Sequence, residues 1–72
     1  MTTENKQNIC SLLCETLKAT RDQQDLKSLT FQEIGPDVQE VVVTYENGGH
    51  FSINVSMDSG IAMIRDIVNH IG

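Results

Sequence analysis

With 72 residues, no Trp and a single Pro, the chain is long enough for one domain around one small apolar core and too short for a second. Ten acidic against five basic residues give a net charge of −5, which argues against direct nucleic-acid binding, where Lys and Arg must neutralise phosphates. No apolar run approaches the roughly 18 residues of a membrane span, and the polar opening Met1 to Asn8 has neither the basic nor the apolar part of a signal peptide.

The charge is unevenly placed. Glu4, Glu15, Asp22 and Asp25 balance Lys6, Lys18, Arg21 and Lys27 in the first part of the chain, whereas beyond residue 28 the acids Glu33, Asp37, Glu40, Glu46, Asp58 and Asp66 face only Arg65. The surplus therefore belongs to the C-terminal part. It serves solubility, or it steers a basic partner.

The first element reads as a helix over about residues 3–20, with Thr2 or Thr3 as its cap. Ile9, Leu12, Leu13 and Leu17 form an apolar stripe at helical spacing, with Cys10 close to it and Cys14 at its margin. Arg21 to Asp25 has no period and reads as a linker or a fraying extension.

Strand alternation follows, over about 29–34, 38–46 and 50–56. A Gly35-Pro36-Asp37 loop sets Phe31 opposite Val41 and Leu29 opposite Val43. For the second hairpin, apolar rows can face each other only if the loop is odd in length, because a slip of one residue turns every side chain to the other face. A three-residue loop, Asn47-Gly48-Gly49, pairs Tyr45 with Phe51, Val43 with Ile53 and Val41 with Val55, with Gly49 in the left-handed conformation. The opposite face carries Thr30, Gln32, Glu40, Val42, Thr44, Glu46, His50, Ser52, Asn54 and Ser56 and is almost wholly polar. Such a sheet is covered on its apolar side and wet on the other. Glu46 and His50 should face each other beside the loop, an arrangement to which no function is assigned.

The last stretch, Ser56-Met57-Asp58-Ser59-Gly60, has residue types found at nucleophile and phosphate sites, but a helix start explains them more simply. Asp58 is well placed as N-cap, with Ser56 or Ser59 sharing the task, and Gly60 permits close approach to the sheet. The helix should run over about 59–71, with Ile61, Ile64, Val68 and Ile71 as its buried stripe, broadened by Ile67 and Met57. Neither His50 nor His70 should stand beside these serines, so no catalytic set is expected.

Cys10, Cys14, His50 and His70 lack the spacing of a zinc module and read as two free thiols and two separate imidazoles. No metal or other cofactor is expected, and free thiols fit a reducing, cytoplasmic setting. Asn54-Val55-Ser56 is a formal glycosylation acceptor, discounted because its asparagine lies in a strand.

The expected fold is thus α+β: residues 1–72 as a single small domain, helix, three-stranded antiparallel meander, helix, with both helices packed on one face of the sheet. The expected function is that of a non-catalytic, small acidic protein-interaction module of bacterial or phage type. Its partner would be an unidentified protein, met through Gln32, Glu40, Thr44, Glu46, His50, Ser52 and Asn54 or through an exposed edge strand. No direct nucleic acid and no membrane are expected, and the chain itself would be a monomer or homodimer. The alternatives are an acidic inhibitor imitating nucleic-acid phosphates at a basic groove, and, disfavoured, a small enzyme or ligand-binding subunit.

Overall fold

The computed structural model describes residues 5–71. The elements follow the order helix, three strands, helix: α1 (Lys6–Lys18), β1 (Leu26–Gly35), β2 (Val38–Tyr45), β3 (His50–Asn54) and α2 (Gly60–Ile71), with one 3₁₀ turn (Arg21–Gln23) after α1. The strands form one antiparallel sheet in the order β1-β2-β3. Helix α1 lies on β1, α2 lies on β3, and the helices touch each other. None of the helices among the described residues is long and apolar enough to cross a membrane.

Helix α1 starts later than expected. Asn5 is its cap, its Oδ1 accepting from the Asn8 N–H at 3.0 Å, and Thr2 and Thr3 lie outside the described residues. Asparagine satisfies a first-turn amide at least as well as threonine, so the nearer residue prevails. At the other end Ala19 and Thr20 fall outside the helix, their N–H groups bonding Thr16 and Leu17 carbonyls in a tightened last turn.

Both helices are rotated from the expected faces. In α1 Cys10 and Cys14 are fully or nearly buried at the centre, Ile9, Leu13 and Leu17 flank them, and Leu12 is 57% exposed. In α2 the buried residues are Gly60, Met63 and Ile67, with Ile71 at the margin, while Ile61 and Val68 are 69% and 43% exposed. Each helix is apolar over a wider arc than a three-stranded sheet can cover, and the contacts choose which part goes inside. Met57 is outside the helix altogether, 96% exposed in a Val55-Ser56-Met57-Asp58 turn closed by Asp58 N–H to Val55 carbonyl at 3.0 Å.

The first hairpin has the expected body, with Leu29 opposite Val43 and Phe31 opposite Val41. Its connection is tighter than expected: Gly35 pairs with Val38, leaving only Pro36 and Asp37 in the turn, and Ile34 is the extra residue that keeps the register. A second irregularity at Lys27 lets β1 begin at Leu26, opposite Tyr45, instead of at Leu29. The shift of one residue turns Leu26 inward, where it is fully buried.

The second hairpin does have a three-residue loop with a left-handed glycine, but it is Glu46-Asn47-Gly48. Gly48 N–H donates to the Tyr45 carbonyl at 3.0 Å, Tyr45 N–H to the Gly49 carbonyl at 2.8 Å, and Gly48 has φ +91°. Asn47 Oδ1 accepts the Gly49 N–H at 2.8 Å, which fixes the turn where it is. The register moves by two residues, so Val43 faces Phe51 and Val41 faces Ile53, and β3 ends at Asn54. A shift of two preserves the faces. Val41, Val43, Ile53, Val55 and Leu29 are still the inner row and are buried, while Tyr45 and Phe51, expected opposite each other, become diagonal neighbours with ring centres 6.3 Å apart.

Candidate functional site

The outer face of the sheet is built in three rows by the two registers. Gln32, Glu40 and Asn54 form one, Thr30, Val42 and Ser52 the next, and Ser28, Thr44 and His50 the third. Gln32, His50, Ser52 and Asn54 are exposed, while Glu40 and Thr44 are half-buried on the central strand. Gln32 Nε2 donates to Glu40 Oε1 at 3.0 Å, so the one carboxylate of the face is already bonded to a neutral neighbour.

Glu46 does not belong to this face. It sits in the hairpin loop, its N–H donating to the Asp25 carbonyl at 2.8 Å, and His50 stands opposite Thr44 instead. The expected Glu46–His50 pair is absent because the loop begins one residue earlier. The acidic character of the face therefore rests on Glu40 alone.

The two edges of the sheet differ. Tyr45 N–H to Gly49 and Val55 N–H to the Gln39 carbonyl, 2.9 Å, show that the odd-numbered residues of β3 bond to β2. Alternation in an antiparallel ladder then directs the N–H and C=O of His50, Ser52 and Asn54 outward. Among the described residues none of these outward backbone groups meets a helix or loop. In β1 the odd residues face outward, but there Gln7 Oε1 of α1 accepts the Phe31 N–H at 3.0 Å, and the Cys14 thiol lies 3.8 Å from the Lys27 carbonyl. Gln7 and Cys14 were not singled out for this task, since nothing in a helix's own period says which residue will reach a strand edge.

The Ser56 to Gly60 stretch is structural. Ser56 Oγ accepts from the Gln39 N–H at 2.8 Å and donates to the Gln39 carbonyl at 3.3 Å. Ser59, and not Asp58, caps α2, its Oγ accepting from the Ala62 N–H at 3.2 Å and its carbonyl from Met63. Asp58 is displaced because Met57, at φ +67°, swings the chain so that the Asp58 side chain turns toward Asp66. Its Oδ2 is buried with no donor beside it, and Asp66 can satisfy it only when one of the two acids carries a proton. That shared hydrogen bond, then burial and the Asp66 charge, raise the Asp58 pKa, with Lys6 opposing.

Lys6 ties this end together. Its ammonium donates to Gln39 Oε1 at 2.8 Å and to the Asp58 carbonyl at 2.7 Å and lies 5.8 Å from the Phe31 ring centre. Lys6, Gln39 and Asp58 line an open cleft of about 290 Å³ together with Pro36, Asp37 and Met57. The histidines stand elsewhere: His50 at the hairpin end, and His70 in the last turn of α2 with Nδ1 2.8 Å from the Asp66 carbonyl. Cys10 and Cys14 are free, and burial, with Cys14 adding, pushes the Cys10 thiol pKa up, away from thiolate reactivity. No group of three or more metal-ligating side chains comes together among the described residues.

The fold and this site define a small α+β domain whose β1 edge is bonded to α1 at Phe31 and whose β3 edge has no such bond among the described residues. Compared with known proteins, the chain matches no family model, no curated protein and no solved structure.

Proposed function

We propose that the protein is a non-catalytic interaction module that receives a protein strand along β3, with the adjoining outer face, Asn54, Ser52, His50 and Glu40, selecting what docks there. The observation that carries this reading is the run of outward N–H and C=O groups on β3. Edge strands are normally guarded by Lys, Pro, an inward charge or a covering element; His50 to Asn54 has no Lys, Pro or inward charge, and among the described residues nothing bonds its outward backbone groups. Backbone pairing supplies affinity in strand addition, and alternate side chains supply selectivity. Two buried free thiols suit a reducing compartment, so we place the module in the cytoplasm.

A phosphate mimic is less well supported, because the face holds a single carboxylate, already bonded to Gln32. Salt separates the two readings. The immobilised wild type, challenged with lysate of its source, should retain its partner as salt rises, whereas a mimic would release it steeply. Ser52→Pro, which removes one outward N–H, and Asn54→Arg, which blocks the face, should each abolish capture while circular dichroism stays that of the wild type. Capture unaltered by both variants would remove β3 and its face from the reading.

A further inference from the structure

We infer that β3 pairs with β3 of a second copy of this chain, joining two three-stranded sheets across a two-fold axis at Ser52. This rests on the reading of β3 as the interaction edge and names its occupant. The outward groups belong to His50, Ser52 and Asn54, so an antiparallel pairing centred on the strand sets Ser52 against Ser52 of the second copy and His50 against Asn54. On the helix side the same register brings Phe51 opposite Ile53. Apolar thus meets apolar and neutral polar meets neutral polar, in both halves at once.

Charge favours this occupant. Most surfaces of a chain with net charge −5 would repel their own copy, but residues 47–57 contain no acid, Lys or Arg. The guarded edge then sets the size of the assembly. An isologous contact uses β3 of both copies, leaving no β3 edge for a third, and β1 is interrupted by the Gln7 bond to the Phe31 N–H and by its two irregularities, so association should close at two copies instead of growing into a filament. A pairing of five residues is small, so the dimer should be weak and concentration-dependent.

Sedimentation equilibrium from micromolar to near-millimolar protein tests this. The wild type should pass from monomer to dimer and no further. Ser52→Pro, which deletes the central N–H on both copies, should weaken association roughly tenfold or more. Ser52→Lys and Ser52→Glu each place like charges across the axis and should each weaken it several-fold, whereas an equimolar mixture of the two should recover association. Recovery in the mixture is expected only if Ser52 faces Ser52. Ser52 is exposed, so thermal melts of all three variants should match the wild type and separate lost association from lost folding. A wild type that stays monomeric throughout, a dimer indifferent to all three substitutions, or a mixture no stronger than its components overturns the inference. If the wild type is monomeric and Ser52→Pro still abolishes capture of a foreign protein, only the second copy falls and the interaction module stands.

Discussion

The two edges of one small sheet are treated oppositely. Strand β1 has ten residues, is irregular at two points, anchors a buried leucine and has its Phe31 N–H and Lys27 carbonyl met by α1. Strand β3 has five residues, pairs regularly over its length and, among the described residues, has no bond to its outward backbone groups. Helix α1 packs extensively on β1, whereas α2 meets β3 at few points, so coverage differs between the two edges. The closely packed helix also reaches the flank of its strand, where Gln7 Oε1 accepts the Phe31 N–H.

The largest expected effect strikes the guarded side. Leu26→Ala removes a fully buried side chain from the start of β1 and should cost roughly 2–5 kcal/mol by denaturant titration. Against an expected total of roughly 4–11 kcal/mol for a chain of this length, that is a large part of the stability. Ser52→Ala on β3 should stay within about 0.5 kcal/mol. Similar costs at the two positions would mean that Leu26 is not held inside by the irregularity at Lys27.

Between the strands, the hairpin should respond to a change at one glycine and not at its neighbour. Gly48 has φ +91°, so Gly48→Val should destabilise by roughly 1–2 kcal/mol, because a β-branched side chain clashes with its own backbone there. Gly49 lacks that conformation, and a Cβ on it would meet the Asn47 Oδ1 at 3.1 Å, a side-chain atom that can move. Gly49→Ala should accordingly cost less, and a reversed order would return the loop to Asn47-Gly48-Gly49.

Gln7→Ala frees the Phe31 N–H in the middle of the β1 edge. Losing two exposed side-chain hydrogen bonds, from the Phe31 N–H and to Ser11 Oγ, should lower stability by only about 1 kcal/mol. Its larger signature is in light scattering, where a second open edge should extend dimers into higher assemblies at high concentration. Unchanged assembly would show that Gln7 is not what guards β1.

The smallest effect comes from Asp58. Its pKa is raised in the folded protein, so its contribution is fully present below the ordinary carboxylate range and is lost as pH rises through the raised folded value. Asp58→Asn should flatten that part of the pH dependence and leave the melting temperature at neutral pH equal to the wild type or higher. A neutral-pH loss with an unchanged pH profile would mean that Asp58 is held by attraction to Lys6 more than it is strained by Asp66.

Much of this was legible in the residues. The order of elements, the inner row Leu29, Val41, Val43, Ile53 and Val55, the polar outer face and the odd hairpin loop all follow from periodicity, because period two or 3.6 is imposed by the backbone and survives any slip of two residues. Of the candidate site, Gln32, Glu40, Thr44, His50, Ser52 and Asn54 share a face as their alternation requires, whereas Glu46 was lost to a loop that begins one residue early. Where periodicity left a choice, tertiary contacts decided. They selected Cys10, Cys14, Met63 and Ile67 over Leu12, Ile61 and Val68 from helix faces that are apolar over too wide an arc. They turned Leu26 inward through an irregularity that no period announces. They also brought Gln7 to the Phe31 N–H of β1 and, among the described residues, left the outward groups of β3 without a bond, because which edge a helix side chain can reach depends on how the layers are offset, a property of the assembled fold and not of any one segment.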